Sequence, residues 1–385
     1  MNESQQPRKR AAKLFHKKSR TGCQQCRSRR VKCDEAKPIC SHCNRLSLTC
    51  IYDRAQSDTN SASPTESGGQ QSKAPETIVD PPESESRRRL ELRLFHHYMA
   101  ETGPSLSLDP ATAHFWNSTI CRLALESDST LYAIYMVSAL HMQKRSTMTD
   151  TKYLDICQTY LNMSIREHHR DVAEINLKNV EYIVLTSGLL RVHGFTRLQG
   201  RSLEPYTPPI DFLRITNTST ALFQKAGDLT QYNPESVASE MIESAADLLA
   251  DLRNSELPSD LSPLVNYETG DKKTEEAYAR AITYIGCIRK ALDEKDVVKS
   301  IGRRTIVFPM VMHKEFADLV EELRPRALVI LAYYFGYLSM LSEFWWVGDS
   351  GFREIRAIER IMPKEWLGWL EWPRSVVRDQ DVKME

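Results

Sequence analysis

The 385-residue sequence predicts a small cysteine-rich head, a disordered linker and a large all-α C-terminal domain. Six of the nine cysteines fall within residues 23–50, in two equal halves, and a polar stretch follows them. Beyond that stretch, apolar residues recur at helical spacing and period-2 alternation is scarce. We place the parts at residues 1–19 (a basic arm), 20–54 (the head), 55–86 (the linker) and 87–385 (the helical domain).

The net charge of zero conceals a basic N-terminal part and an acidic remainder. Residues 1–54 hold 14 Lys and Arg against 4 Asp and Glu, a net charge of +10, so the remainder carries −10. A basic segment of this kind predicts contact with a polyanion such as nucleic acid. The first 20 residues are polar and basic, so we expect no secretory signal. We therefore expect a reducing compartment, where disulfides do not persist.

The six clustered cysteines follow the spacing C-x2-C-x6-C-x6-C-x2-C-x6-C. Each half brings two thiolates together in a tight turn and returns a third after about two helical turns. Because tetrahedral zinc takes four ligands, two Zn²⁺ ions are satisfied only if two thiolates bridge both metals. This pattern predicts a metal cluster rather than a disulfide framework or a redox motif. The predicted ligands are Cys23, Cys26, Cys33, Cys40, Cys43 and Cys50.

The motif C-x2-C-R-x-R-R-x-K-C-D, with the cysteine spacing that follows it, resembles the fungal Zn(II)2Cys6 binuclear-cluster transcription factors. The resemblance covers roughly residues 20–54. It implies that Cys23 and Cys40 bridge the two metals, with Pro38 in the loop between the halves. It also implies a nuclear, sequence-specific DNA-binding transcription factor for RNA polymerase II genes. Its partners would be double-stranded DNA and the transcription machinery.

The basic residues concentrate between Cys26 and Cys33, on the short helix expected after Cys26, whereas the matching interval of the second half has only Arg45. A helix of this size fits the major groove, where Arg and Lys bond guanine O6 and N7. The resemblance implies that Arg29 and Arg30 approach a CGG-type triplet. The alternative, that all these side chains are solvated surface charges, stays open. Phosphate contacts, which set the register on DNA, are expected from Arg20, Arg27 and Lys32.

Two polar segments flank the head. Residues 7–20, PRKRAAKLFHKKSR, contain two basic clusters and predict a nuclear localisation signal or a phosphate-binding arm. The linker cannot bury enough apolar surface to offset its ordering entropy, so we expect it to be a flexible tether. It lacks the heptad pattern of a coiled coil, which leaves open whether the protein binds DNA as a homodimer.

From Arg87 onward the apolar spacing predicts helices around one core. Residues 131–142 are apolar nearly all round, as in a buried helix. Residues 327–341, after Pro325, predict a central core helix, because a run of about 15 residues is shorter than the roughly 20 that cross a membrane. Residues 305–312 are the best strand candidate. Three apolar stripes are Leu90, Leu94 and Tyr98; Val237, Met241, Leu248 and Leu252; and Tyr278, Ile282, Ile285 and Leu292.

The helical domain shows no catalytic signature. The phosphate loop, H-E-x-x-H and G-x-S-x-G are absent from the sequence, so we predict that the protein is not an enzyme. Residues 348–351, Gly-Asp-Ser-Gly, resemble a serine-protease nucleophile loop but are expected to form a turn. The adjacent pairs His96-His97 and His168-His169 point to different helix faces and make poor chelates. The remaining cysteines, Cys121, Cys157 and Cys287, are expected in the core.

The segments RLFHHYMAETGPSLS, HFWNSTICRLALESDSTLYAIYMVSALHM and VFPMVMHKEFADLVEELRPRALVILAYYFGYLSMLSEFWWVGDSGFREI resemble the regulatory domain of the sterol uptake control protein group. The resemblance implies an apolar ligand pocket near the C-terminus. An aromatic stripe at this spacing also fits a packed core, and both interpretations stay open. We expect a regulator of a biosynthetic gene cluster in secondary metabolism; the alternative is a sterol-responsive regulator of sterol uptake or synthesis genes. The implied pocket residues are Tyr333, Tyr334, Tyr337, Phe344, Trp345 and Trp346.

Overall fold

A computed structural model describes two separate parts of the chain. The chain divides into two compact units, Met1–Val79 and Asp80–Glu385. Every regular element within the described ranges is helical. These ranges are 22–29, 31–35, 40–46 and 50 in the first unit, and 81–146, 151–214, 219–230, 257–265, 271–294 and 297–384 in the second, with scattered positions between 233 and 255.

Some of the sequence predictions concern residues outside these ranges. They are the basic arm at 1–19, Arg20, Arg30, Pro38 and the linker as far as residue 80. At the end of the predicted linker, Ser84 caps a helix that begins at Glu85, because its side chain accepts a hydrogen bond from the Arg87 N–H. Arg87 also donates to the Pro81 carbonyl oxygen at 2.6 Å. Helical structure thus begins shortly before the predicted start at Arg87.

The head contains two short helices of equal length, α1 (Gln24–Ser28) and α2 (Ser41–Arg45). Each begins directly after the first cysteine of its half, Cys23 or Cys40. The Cys23 side chain accepts a hydrogen bond from the Cys26 N–H at 3.4 Å and so caps α1. Helices this short are unstable alone, so the surrounding cysteines must hold them in place.

The larger unit is built from helices joined by turns. The first, α3 (Glu85–His97), continues through a π-helical turn (Tyr98–Thr102) into a final turn (Gly103–Leu106). A second π-helical turn (Phe115–Thr119) leads into α4 (Ile120–Ala124). The further helices are α5 (Asp128–Arg145), α6 (Lys152–Ala173), α7 (Val180–Thr196), α8 (Ile210–Arg214), α9 (Ser219–Thr230), α10 (Lys272–Lys290), α11 (Val297–Val311), α12 (Lys314–Glu321), α13 (Pro325–Ser339), α14 (Ser350–Ile361) and α15 (Glu371–Met384).

The helices pack in two groups around the core. In the N-terminal group, α5 packs against α6 and α7, and residues 133–141 of α5 are all buried, as predicted. In the C-terminal group, α13 contacts α10, α11, α12, α14 and α15. Every residue of α13 after Pro325 is buried, and Pro325 itself occupies the first turn, where its missing N–H has no intrahelical partner to lose. The predicted central core helix is confirmed.

The structure corrects two predictions. The strand proposed at residues 305–312 is wrong, because residues 305–311 belong to α11. A short apolar run does not distinguish a buried strand from a buried helix, and Pro309 lies in the last turn of α11, where it removes only one terminal hydrogen bond. Leu292 is also misassigned to the core: α10 ends at Lys290, and Leu292 is 38% exposed in the following 3₁₀ turn.

Other core predictions are confirmed. Within the predicted stripes, Leu94, Tyr98, Tyr278, Ile282 and Ile285 are buried. The three remaining cysteines, Cys121, Cys157 and Cys287, are buried too. Leu248 and Leu252 are buried, although most of the segment around them lies outside the described residues. None of the helices in the described ranges is long and apolar enough to cross a membrane.

Candidate metal centre

The two cysteine halves of the head share one backbone geometry. In the first half, the Cys23 N–H donates to Cys33 Sγ at 3.4 Å, and the Cys26 N–H donates to Cys23 Sγ at 3.4 Å. In the second half, the Cys40 N–H donates to Cys50 Sγ and the Cys43 N–H donates to Cys40 Sγ, both at 3.4 Å. Each of these cysteines lies 17 residues after its counterpart in the first half. The equal sequence spacing of the halves therefore folds into equal local structures.

The sulfur atoms of the two halves lie close together. Cys23 Sγ is 3.8 Å from Cys40 Sγ and 3.6 Å from Cys43 Sγ, and Cys26 Sγ is 3.6 Å from Cys40 Sγ. All four sulfurs lie within 4.8 Å of one another. None of the nine cysteines, all of them within the described residues, forms a disulfide. Two sulfurs bound to one tetrahedral zinc at about 2.3 Å stand about 3.8 Å apart, so these separations match a metal site.

The remaining two cysteines of the head, Cys33 and Cys50, lie beside this group. The Cys26 thiol interacts with Cys33 and with both first cysteines of the halves, Cys23 and Cys40. The Cys43 thiol interacts with the same two residues and with Cys50. Cys23 and Cys40 therefore have thiol neighbours in both halves.

The chemistry of these donors fits zinc. Cys23, Cys26, Cys40 and Cys43 have no exposed surface. Burial raises the pKa of the Cys26 and Cys43 thiols, because a thiolate removed from water loses its hydration. A bound divalent cation supplies the missing positive charge and deprotonates thiols that coordinate it. Tetrahedral thiolate sets favour zinc, so the head is suited to bind it.

Three of the predicted DNA-contacting residues lie beside this cluster. Arg29 and Lys32 are exposed, and Arg27 is partly buried in the last turn of α1. Arg20 and Arg30 are outside the described residues. The first half therefore presents several cations to solvent next to its cysteines, as a surface for a polyanion requires.

A carboxylate that the sequence analysis overlooked joins the two halves. Asp34, directly after Cys33, accepts hydrogen bonds from the Ser41 backbone N–H at 3.1 and 3.2 Å, and its Oδ2 also accepts one from the Ser41 hydroxyl. Ser41 is the first residue of α2, so Asp34 satisfies a free N–H at the start of that helix. Its position beside a predicted ligand was the only sequence signal.

The six aromatic residues predicted to form a pocket fall into separate packing groups. Tyr333 and Tyr337 pack against Trp372, with ring centroids 5.2 and 4.5 Å apart. Tyr334 stacks on Phe308 at 4.2 Å. These three tyrosines therefore contribute to aromatic contacts between α13 and its neighbours α11 and α15.

The remaining three belong to the loop after α13. Trp345 stacks on His141 at 4.8 Å, and its Nε1–H donates to Ser105 Oγ at 2.9 Å. Phe344 and Trp346 are 5.7 Å apart. Of the six residues, Trp346 alone lines an apolar cavity of about 170 Å³ between α7 and α11. Arg191 also lines it, and no local sequence pattern had pointed to this residue.

Two family models match the chain. The model described as the fungal Zn(2)-Cys(6) binuclear cluster domain matches residues 21–59. The model described as the fungal specific transcription factor domain matches residues 93–192. The first match covers the cysteine cluster, and the second covers the segment from α3 into α7.

Curated relatives resemble the chain over most of its length. A Zn(2)-C6 fungal-type transcription factor of Aspergillus fumigatus, afumD, is 32% identical over 84% of this chain and 86% of its own length. Another, from Gibberella zeae, is 25% identical over 93% of this chain and 85% of its own length. Sterol uptake control protein 2 of Candida albicans is 45% identical over only 56 residues, which are 13% of this chain and 8% of that protein. The resemblance to the sterol group is therefore minor.

Proposed function

The chain belongs to the Zn(2)-C6 fungal-type transcription factors and is a sequence-specific, DNA-binding regulator of transcription, and we propose that it recognises a short GC-rich, CGG-type element. The observation behind the proposal is the pair of exposed basic residues, Arg29 and Lys32, that follow α1 beside the cysteine cluster. They lie after the helix and not on it, because α1 begins at Gln24 and ends at Ser28. The recognising part would be residues 20–54, tethered by residues 55–86 to a helical regulatory domain at 87–385.

The head binds two zinc ions in this proposal. Cys23 and Cys40 bridge both metals, and the other four cysteines complete the two tetrahedra. The short distances from the Cys23 and Cys40 sulfurs to sulfurs of the other half support this arrangement. Zinc would stabilise the fold of the head, because so few residues cannot bury an adequate core. Titration of the apo head with zinc, followed by mass spectrometry under native conditions, should end at two ions per chain, and an end point of one would refute the bridged cluster.

In this proposal Arg29 and Arg30 contact the bases. Arg20, Arg27 and Lys32 contact the phosphates. An arginine bonds both acceptors of guanine in the major groove, and each such pair contributes about 1–3 kcal/mol of discrimination between bases. A phosphate contact strengthens binding to every sequence and adds to its salt dependence. The exposure of the Arg29 side chain to solvent suits a role in the groove.

Matched alanine variants test this division of roles. Arg29→Ala and Arg30→Ala should weaken binding to a CGG-containing duplex by about tenfold or more, while binding to a scrambled duplex changes little. Lys32→Ala should weaken both equally and reduce the salt slope by about one. Arg45→Ala, the exposed arginine of the second half, is the control. Equal losses on both duplexes for Arg29→Ala and Arg30→Ala would make them phosphate contacts.

The regulated genes would form a biosynthetic gene cluster transcribed by RNA polymerase II in the nucleus. The long matches are to proteins named only as Zn(2)-C6 fungal-type transcription factors, whereas the match behind the alternative, a sterol-responsive regulator, covers 56 residues of a sterol uptake control protein. Chromatin occupancy of the tagged protein, with Cys23→Ser as a zinc-site control, separates them. Peaks at one local group of biosynthetic genes support the first, and peaks at sterol-pathway promoters support the second.

The helical domain would contact the transcription machinery, an apolar ligand or a second copy of the chain. Its acidic character supports contact with other proteins rather than DNA, since the residues after 54 carry a net charge of −10. Sedimentation of the zinc-loaded protein with and without duplex DNA tests the homodimer. A single mass equal to one chain per duplex would exclude a dimer on that site.

A further inference from the structure

The apolar cavity between α7 and α11 shares Trp346, but none of the other five residues, with the aromatic groups described above. Its walls include Val192 and Phe195 of α7, Ile306 and Met310 of α11, and Trp346. An adjoining outer chamber of about 350 Å³ shares several of the same lining residues. Cavities of a few hundred Å³ with apolar walls and few polar groups are typical of small-molecule sites.

The described lining residues of this cavity include two cations, Arg191 and Arg303, and no carboxylate. The outer chamber contains two carboxylates, Asp109, which pairs with Lys299 at 3.1 Å, and the exposed Asp247. Arg303 lies near Glu294 and lowers the pKa of that carboxyl group. Arg191 is therefore the cation of the inner wall that is available to a ligand.

Arg191 is a charged residue in the otherwise mainly apolar wall of this cavity. The one contact that the described structure provides for its guanidinium is with the Phe223 ring, whose centroid lies 5.7 Å from Cζ. Arg191 is partly buried, and the loss of hydration lowers its pKa to about 10. The buried indole Nε1–H of Trp346 has no acceptor in the described structure. A cationic side chain and an unsatisfied buried donor thus line one apolar cavity.

An apolar cavity with a cation and a buried, unpartnered indole N–H on its wall suits a ligand that has an apolar body and an anionic end. We propose that the cavity binds a small amphipathic carboxylic acid, whose apolar body lies between α7 and α11 and whose carboxylate pairs with Arg191. The guanidinium presents two parallel N–H groups that match a carboxylate, and the Phe223 ring steadies it from one side. A neutral ligand of the same shape would leave the guanidinium unpaired.

Two probes of equal length test the inference. Octanoate and octan-1-ol have the same apolar chain and differ in the charge of the head group. Calorimetric titration of the full-length, zinc-loaded protein should show octanoate binding about tenfold more tightly than octan-1-ol, as expected for a charge-assisted pair. Equal affinities, or no binding of either probe, would overturn the proposal.

Three variants test whether Arg191 causes the preference for octanoate. Arg191→Met should abolish the preference for octanoate while retaining the binding of octan-1-ol. Arg197→Met changes an exposed arginine at the end of the same helix and should leave both affinities unchanged. Val192→Phe should fill the cavity and reduce binding of both probes. A preference that survives Arg191→Met, or that disappears equally in Arg197→Met, would refute the assignment.

The proposed carboxylic-acid site in the cavity does not depend on how the head recognises DNA. Helix content from circular dichroism and binding to the CGG duplex are measured on the same variants. Unchanged helix content shows that a loss of octanoate binding is not a loss of fold. Failure of the CGG proposal would appear as lost sequence selectivity in the wild type, whatever the octanoate result.

Discussion

The Asp34 carboxylate accepts two hydrogen bonds from the Ser41 backbone N–H, at 3.1 and 3.2 Å, and so connects the end of the first cysteine half to the first residue of α2. Asp34 follows Cys33 and Ser41 follows Cys40, so the contact joins residues next to one cysteine of each half. It therefore favours the arrangement in which thiols of both halves bind the same metal. Its strength can be measured through zinc binding, because folding and metal binding are coupled in so small a head.

We expect Asp34→Ala to weaken zinc binding by about fivefold, which corresponds to about 1 kcal/mol for a lost helix cap. Competition with a chromogenic chelator measures the change. Asp34→Asn is the matched control, since it keeps an acceptor oxygen and should lose less. If Asp34→Ala binds zinc as tightly as the wild type, the contact does not stabilise the head.

Removal of zinc should affect the function of the head without unfolding the larger unit. We expect a strong chelator to abolish DNA binding while the helix content of the protein stays nearly unchanged, because the larger unit has its own buried core around α13. Electrophoretic mobility shift and circular dichroism on one sample measure both quantities. DNA binding that survives complete zinc removal would contradict the metal-dependent head.

The adjacent histidines of α6 should differ in their effect on acid stability. His168 is buried and its Nε2 lies 3.1 Å from Ser187 Oγ, and burial lowers its pKa to about 4. Its contribution is complete above the unfolded pKa of about 6.5 and is lost as the pH falls toward 4, because only the unfolded chain then takes up the proton. This single residue should cost about 2 kcal/mol of unfolding free energy between pH 7 and pH 5.

We therefore expect His168→Gln to lose less stability than the wild type over that interval. Urea unfolding followed by circular dichroism at pH 7 and pH 5 gives the difference. His169→Gln, which changes the exposed neighbour, should behave like the wild type. The same pH dependence in wild type and His168→Gln would show that His168 is not the titrating group.

Gly351 allows α14 to pack closely on α13. A Cβ at this position would lie 2.6 Å from the Phe335 carbonyl oxygen and would also meet the Ser339 side chain. Gly351→Ala should therefore lower the unfolding free energy by about 1–3 kcal/mol, because backbone atoms cannot move aside cheaply. The glycine at the end of the Gly-Asp-Ser-Gly segment is thus a packing residue on a helix.

Gly194, in α7, provides the contrast. A Cβ there would meet no atom within 4 Å, so Gly194→Ala should raise stability by about 0.5–1 kcal/mol through helix propensity. Thermal unfolding measures both variants. Equal shifts in Tm of the same sign would show that helix propensity, and not the close approach to α13, controls the effect at Gly351.

Much of the organisation was predictable because it is local. The cysteine spacing predicted the metal cluster, since the ligands lie within 28 residues and short helices bring them together. Apolar stripes predicted which faces of α3, α5, α10 and α13 are buried, with Leu292 as the exception. The strand at residues 305–312 was wrong because local apolarity indicates burial and not which element is buried.

The sequence by itself determined the zinc head and the all-α character of the larger unit, because both depend on spacings between near neighbours. Only the tertiary structure decided which aromatic residues pack together and where a cavity remains. Tyr334 meets Phe308, and Arg191 meets Phe223, through contacts between different helices. The surroundings of a charged side chain include groups that are distant in the chain. The place of Arg191 on the wall of an apolar cavity is therefore a property of the packed helices, and no local pattern of residues encodes it.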